Sequence, residues 1–466
     1  MKEKKIFVIV DLGTGDNVKG GTALKVGVVK KAHTFIKVGG CQCSHGVFTS
    51  DGKEHNFHHF GCGTFEGSKT YISERMVIEP YRLLIEASNL QDEWRIHNIF
   101  DYLTIDRNCL CVTPFHTLSS RFKELLRKDN PKGIVGIGVG ETLRDQKDFP
   151  DEAIYAKDLN SPSLRKKLEL VRERKFEEFK NILSHDCNLL DYFHKADIKK
   201  ASEYIDLFHD GDFINRIVDV FNTAYSKITI TDEIYFRSLL EKDGVMVMES
   251  SHGVLNDRLY GFQPHVTELR ILPQLNIEML NKYGFSGDLV KLGTTRAYQV
   301  RHGAGSIVTY DQEMTKNLIP DGNKLENRWQ GKVRAGALDF VSLQYAIDIC
   351  GGPEFFNGIS VSWLDQIELL KKWDICDSYN GNNDLDFFSP DGKIKVFKSD
   401  DQALIEHQKS LTMQLDRCTP NLTSYDISMM PRKSFLGLCS SVFEEKLKVP
   451  VKMASFGKSE NDRILM

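Results

Sequence analysis

The sequence predicts an α/β fold: a single large domain over residues 1–466, with a mostly parallel central sheet, flanking helices and a mainly helical layer inserted over 161–242. Three observations lead there. Short β-branched apolar runs (Ile6–Val10, Phe35–Val38, Val245–Met248, Gly358–Asp365) alternate with longer stretches of helical pattern. Those runs break into glycine-rich islands that carry the acids, histidines and arginines, as when a parallel sheet presents its site beyond the strand ends. No repeat, low-complexity tract or flexible linker divides the chain.

The elements follow in order. Ile6–Val10 is a buried strand leading into a loop at Gly13–Gly21. Residues 22–30 fit strand or short helix, because periodicity alone does not decide a short apolar run. Phe35–Val38 is a strand ending at Gly39-Gly40, and Asp51-Gly52 marks a hairpin turn between Val47-Phe48 and His55–Phe57. Pro80 opens a helix over 80–90, and a second helix over 117–128 stops at Asn130-Pro131. Gly133–Thr142 holds four glycines in its first eight residues, interleaved with Ile and Val, and reads as a strand-to-loop turn packed close to something. Leu164–Ser184, 186–208 and 211–226 are helical and charged. Strand signals return at Val245–Met248, before Glu249-Ser-Ser-His252-Gly253, and again at the C-terminus, where a strand from Pro450 runs into Gly457-Lys458.

Composition narrows the class. Hydrophobic content of 41% and charged content of 27% are ordinary for a globular chain. A net charge of −4 gives no electrostatic footprint for nucleic acid or an anionic membrane, and neither is expected as a partner. No apolar run approaches the ~20 residues that span a bilayer. Met1–Lys5 runs into a strand without an apolar leader, which predicts a cytoplasmic location. Cys41-x-Cys43 and Cys109-x-Cys111, near His58, His59 and Cys62, invite a zinc reading, but no C-x₂-C pair is present. Buried reduced thiols are the expectation.

The islands, in their order along the chain, resemble adenylosuccinate synthetase. The family's Gly-Asp-Glu-Gly-Lys-Gly-Lys is matched by Gly15-Asp16-Asn17-Val18-Lys19-Gly20-Gly21, and Gly-Gly-x-x-Ala-Gly-His by Gly39-Gly40-Cys41-Gln42-Cys43-Ser44-His45. Glu-Gly-Ala-Gln-Gly becomes Glu249-Ser250-Ser251-His252-Gly253, with Val266-Thr267 downstream. Arg301-His302-Gly303-Ala304-Gly305, Ser362-Trp363-Leu364-Asp365 and Phe456-Gly457-Lys458-Ser459 resemble three further motifs. The resemblance runs from about residue 6 to 460, looks closest to a divergent bacterial or phage-type branch, and implies a fold related to the P-loop NTPases.

That resemblance implies a GTP-dependent ligase joining L-aspartate to carbon 6 of IMP through a 6-phosphoryl intermediate, with Mg²⁺ as cofactor and a homodimer as the assembly. Asp16 would take the purine N1 proton and ligate Mg²⁺ together with Ser44, and His45 would stabilise the transferring phosphoryl group. Gly15, Asn17, Lys19, Gly20, Gln42, Ser44, Gly138, Gly140, Thr142, His252 and Thr267 would contact nucleotide and phosphates, and Asp365, Gly457 and Lys458 the guanine. Arg301 and Arg334 would hold the aspartate carboxylates. Arg144 is the candidate for an arginine lent between subunits.

Departures accompany the match. Val18 and Gly21 stand where the family has Gly and Lys, Ile134 and Val135 where it has threonines, His252 where it has an amide, and Trp363 where it has Lys. The aspartate loop is rewritten as Arg328–Arg334. Two alternatives follow from these changes. One is a paralogue with an altered substrate, such as dGMP or another purine nucleotide, and an ATP or dATP donor. The other is a nucleotide-binding protein without ligase activity. Asp16 argues against the dGMP reading, because the phage enzymes typically carry serine there. A simple P-loop NTPase is set aside, since Gly-x₄-Gly-Lys-[Ser/Thr] is absent.

Overall fold

The computed structural model describes residues 3–127, 130–185, 203, 205–318 and 329–466. Eleven strands form the main sheet: β1 (Lys4–Asp11), β2 (Thr34–Gly40), β3 (Lys69–Ile78), β4 (Leu103–Asp106), β5 (Leu110–Cys111), β6 (Thr229–Thr231), β7 (Gly244–Ser250), β8 (Asp288–Arg296), β9 (Gly358–Ser362), β10 (Val451–Ser455) and β11 (Arg463–Leu465). Their order is β11-β10-β9-β8-β1-β7-β2-β3-β4-β6, with β5 also on β3. Every pairing is parallel except β10 with β11.

β1 lies inside this order, paired on both edges, and its residues feed two cores in alternation. Ile6, Val8 and Val10 join the cluster under β9 and β10, while Phe7 and Ile9 join the one under β2 and β3. That period of two is what makes a continuous apolar run a buried parallel strand. Beyond the main sheet lie the hairpin of His45–Phe48 with Glu54–Phe57, the antiparallel pair of Gln299–His302 with Val333–Gly336, and a three-stranded sheet of Leu338–Asp339, Lys372–Asn380 and Thr419–Asp426. Among the described residues no helix is long and apolar enough to cross a membrane.

Several expectations are sharpened or corrected. Residues 22–30 are helical, inside the helix Lys19–Lys30, which buries one apolar face on the sheet. The helix expected over 117–128 begins earlier, at Pro114, where Thr113 and His116 form a capping box. Gly133–Thr142 contains no strand: Gly133, Gly136 and Gly138 all take positive φ, which breaks an extended ladder, and a helix (Val139–Asp148) starts immediately after. The layer over 161–242 is not purely helical. Helices Leu164–His185 and Gly211–Lys227 are present, but Thr229–Thr231 returns to the sheet as its edge strand, followed by the helix Glu233–Glu241. Most of the helix expected over 186–208, together with Arg328, lies outside the described residues.

Candidate functional site

The islands occupy one edge of the sheet, past the C-terminal ends of β1, β2, β7, β8, β9 and β10, where an open parallel sheet leaves a crevice. The first loop is organised by Asp11, the last residue of β1. Its buried carboxylate accepts from the Gly13 amide (2.9 Å), the Asn17 amide (3.2 Å), Asn17 Nδ2 (2.6 Å) and Lys19 Nζ (2.8 Å). Asn17 and Lys19 are thereby committed to the loop itself. Asp16 stands outside this clamp, at φ +61°. Arg296 Nε donates to its carbonyl at 2.6 Å, and its half-exposed carboxylate meets His302 Nε2. Val18 caps the following helix in the left-handed region at φ +55°, a strained conformation for a β-branched residue. Gly20 is a packing glycine, since a Cβ there would lie 2.5 Å from the Gly46 carbonyl oxygen.

His45 lies 5% exposed beside the end of β7. Its Nδ1 sits 2.6 Å from Glu249 Oε2, an oxygen that also accepts from Lys37 Nζ (3.1 Å) and the Cys62 thiol (3.3 Å), while Glu249 Oε1 accepts from the Cys62 amide (2.8 Å). Burial would raise the Glu249 carboxyl, but the Lys37 ammonium and His45 more than reverse this and hold it well below the usual range. Burial, then the Lys37 charge, pushes His45 down to about 4, so the ring is neutral at pH 7. With Nδ1–H given to the carboxylate, Nε2 is left as a buried lone pair without a partner. His45, Cys62 and Glu249 offer donor atoms within 4.8 Å of one another, but Lys37 already occupies the carboxylate a metal would need. The zinc reading finds no better support elsewhere: His58 bonds the Cys41 carbonyl and His59 bonds Glu86. The described cysteines are all free thiols, buried apart from the half-buried Cys43.

A cleft of about 140 Å³ opens beside this centre, walled by the 133–141 loop, Gln42, His252, Thr267, Arg301 and His302. Gly138 and Gly140 line it. Thr142 is buried and spends its hydroxyl on the Gly138 carbonyl (3.0 Å). The cations at the mouth are all paired: Lys123 with Glu141 (2.8 Å), Lys132 with Glu268 (2.9 Å), Arg127 with Glu124, and Arg144 with Glu141 and Glu268. Gln42 Nε2 donates to His252 Nε2 (2.7 Å), and burial pushes His252 down to about 3.

The remaining candidates divide. Arg301 is buried and donates to the carbonyls of Ala304 (3.0 Å) and His265 (2.8 Å), and Arg334 to Gly303 (2.7 Å), so both brace the 303–306 loop at the cleft. Burial pushes Arg301 down to about 9. Ser44 is exposed just before His45. Asp365 lies in the first turn of the helix Leu364–Leu370, with Oδ2 taken by Gln366 (2.8 Å) and Oδ1 buried without a partner. Gly457 packs on Asp462, and Lys458 is exposed, its Nζ 4.6 Å from the centroid of the Phe48 ring. Sequence reasoning missed Asp11, Lys37, Glu249 and His302 as site residues. Glu249 and His302 stood inside quoted motifs, and a lysine in the middle of an apolar strand was the signal for Lys37.

Comparison with known proteins agrees with the motif reading. A family model described as adenylosuccinate synthetase matches residues 8–464. Curated relatives include the adenylosuccinate synthetase of Chlorobium chlorochromatii, 24% identical over 465 residues with 98% of this chain and 96% of the relative covered. That of Bdellovibrio bacteriovorus is 25% identical, covering 81% of each chain. Among solved structures, fully ligated adenylosuccinate synthetase from Plasmodium falciparum aligns with a TM-score of 0.72 at 17% identity, covering 99% of both chains. The cyanophage S-2L succinoaminodeoxyadenylate synthetase, bound to dGMP and dATP, aligns at 0.56 and 12% identity over 100% of this chain and 96% of its own.

Proposed function

Because the chain belongs to the adenylosuccinate synthetase family, ligases that make carbon–nitrogen bonds, we propose that it joins L-aspartate to C6 of a purine nucleotide, with IMP as the default substrate and GTP as the phosphoryl donor. One observation carries this reading: Asp16 and the buried His45–Glu249 pair stand at the ends of β1, β2 and β7, beside a cleft walled in part by Gln42, His252, Thr267 and Arg301 of the matched motifs.

Asp16 takes the proton from purine N1, which makes O6 the nucleophile toward the γ-phosphorus of the donor. The O6–P bond forms as the bond to the β-phosphate oxygen breaks, giving the nucleoside diphosphate and a 6-phosphoryl purine. Neutral His45, held by Glu249 through Nδ1–H, presents the Nε2 lone pair to the transferred group and accepts a hydrogen bond from a phosphoryl oxygen that carries a proton. The amine of aspartate then attacks C6, inorganic phosphate leaves with the C6–O bond electrons, and the proton of the attacking nitrogen passes to the departing phosphate. Asp16 and Ser44 offer exposed oxygen donors of the class Mg²⁺ prefers and would hold it, and bound Mg²⁺ neutralises phosphate charge. Arg301 and Arg334 serve the amino acid's carboxylates, directly or through the 303–306 loop they brace. The purine nucleotide lies against Gln42, His252, Gly138, Gly140 and Thr267. The assembly is a cytoplasmic homodimer.

A second reading keeps the chemistry and changes the purine nucleotide. Ile134 and Val135 line the cleft without hydroxyls and the mouth cations are already paired, which favours a substrate other than a free monophosphate. Purified protein with Mg²⁺, L-aspartate, GTP or ATP and a panel of IMP, dIMP, GMP, dGMP and their triphosphates decides between them. A product heavier by aspartyl addition, absent in Asp16→Ala and His45→Ala, establishes the ligase and names its purine. Nucleotide binding with no phosphate release across the panel overturns the ligase reading in favour of a binder.

A further inference from the structure

The first loop lacks the lysine that the family motif carries at its last position; Gly21 stands there. The structure puts a different cation in that place. A Cβ built on Gly21 would lie 1.8 Å from Arg463 Nη2 and 2.4 Å from Arg463 Cζ, so the guanidinium rests on the bare Cα in the first turn of the helix Lys19–Lys30. Arg463 begins β11, pairs with Ser455 at the end of β10, and so reaches the same sheet edge as the phosphate loop.

Arg463 is 4% exposed, yet its Nε and Nη1 have no hydrogen-bond partner, and no ion pair is made by it among the described residues. The nearby carboxylates are engaged elsewhere: Glu460 with Lys25 (2.7 Å), Asp462 with the Ser459 amide (2.9 Å), and Asp365 through Oδ2 with Gln366. A buried guanidinium with two idle donors is expensive unless an anion completes it. Asp365 Oδ1, in the first turn of the helix that follows β9, is an idle buried acceptor in the same region. The helix start, at the positive end of its dipole, adds its own preference for negative charge.

We propose that Arg463 replaces the missing loop lysine and binds a phosphate of the nucleoside triphosphate donor, its planar fork lying over Gly21. This assignment rests on the reading of the chain as a triphosphate-driven ligase and adds to it the residue that holds the donor. Gly21 and Arg463 then form a matched pair: the glycine is small because the arginine comes from another strand.

The test is calorimetric binding of a non-hydrolysable GTP analogue with Mg²⁺ to the full chain, alongside thermal melting with and without ligand. In Arg463→Ala the analogue is expected to bind about tenfold or more weaker, the loss of one charge-assisted contact. IMP affinity should stay within about twofold, since Arg463 is not among the residues lining the cleft. The melting temperature of the unliganded variant should rise, because two buried donors without hydrogen-bond partners have been removed, while the ligand-induced shift shrinks. Gly21→Lys combined with Arg463→Ala should recover analogue affinity to within about threefold of the parent, the lysine restoring an ammonium to the same loop. Unchanged analogue affinity in Arg463→Ala overturns the inference, as does a lower unliganded melting temperature with equal losses for IMP and the analogue, which marks a structural arginine. If the parent binds neither the GTP analogue nor the matching ATP analogue, the ligase reading fails with it; if the parent binds and Arg463→Ala binds equally, only this inference fails.

Discussion

Around His45, the carboxylate of Glu249 takes Lys37, the histidine and the Cys62 thiol on Oε2 and the Cys62 amide on Oε1, all of them buried. Around the cleft mouth, Glu141 and Glu268 take Lys123, Lys132 and Arg144, whose side chains remain 22–41% exposed. Both are networks of paired charges, but the surroundings give them different work. In the interior no water can replace a lost partner, so the pairs fix one protonation pattern and one orientation of His45. At the mouth, Glu268 and its partners Lys132 and Arg144 are partly exposed, so water competes for those pairs and a ligand can exchange for one of them at small cost. The centre is therefore the more rigid of the two networks, and the mouth the more easily rearranged.

That contrast can be broken at graded cost. The largest effect is expected at the centre: Asp16→Asn or His45→Ala should lower aspartyl addition by roughly 10²–10⁴-fold, as for loss of a general acid–base group, measured by phosphate release and product mass. Nucleotide binding at comparable affinity would confirm that the loss lies in the chemistry. Next, Glu249→Gln leaves Lys37 buried and unpaired and should destabilise the fold by about 3–5 kcal/mol in urea titration. Adding Lys37→Met should recover most of that loss, and a double variant as unstable as the single would show that the pair is not the cause.

A pH effect of intermediate size follows from His252. Its ordinary pKa is 6.5 and burial lowers it to about 3 in the fold, so the unfolded chain binds the proton first. Its contribution is fully present above pH 6.5 and is lost as pH falls toward 3, at about 1.4 kcal/mol per pH unit for one such group. Urea midpoints at pH 7, 6 and 5 should decline more steeply for the parent than for His252→Gln, and parallel lines would refute the assignment. Val18→Gly removes a left-handed β-branched residue and should stabilise by about 1 kcal/mol after glycine's own entropic penalty. The smallest effect belongs to the mouth, where Glu268→Gln should cost less than about 1 kcal/mol. A value near that of Glu249→Gln would erase the distinction between the two networks.

Much of this was legible from the chain alone because it is local. The apolar run of β1, the glycine loop after it, and Asp16 and His45 at fixed offsets past strand ends follow from short-range pattern, and the ordered islands suffice to place the chain in its family. The Gly133–Thr142 stretch shows where local reading fails: its alternating Ile and Val look like a strand, but Gly133, Gly136 and Gly138 take positive φ and line a cleft instead. The segment 366–449, which adds the small sheet carrying Lys372–Asn380 and Thr419–Asp426, offered no motif at all.

The sequence by itself determined the parallel sheet, the edge on which the site lies, and the residue types available there, since alternation and glycine placement act within a few residues of chain. Only the tertiary structure decided which charges meet: Glu249 on His45 across 204 residues, His302 on Asp16 across 286, and Arg463 over Gly21. Each of these depends on where the order of parallel strands sets two distant chain ends side by side. Whether a buried charge finds its partner there is a matter of packing and desolvation, which no local pattern encodes.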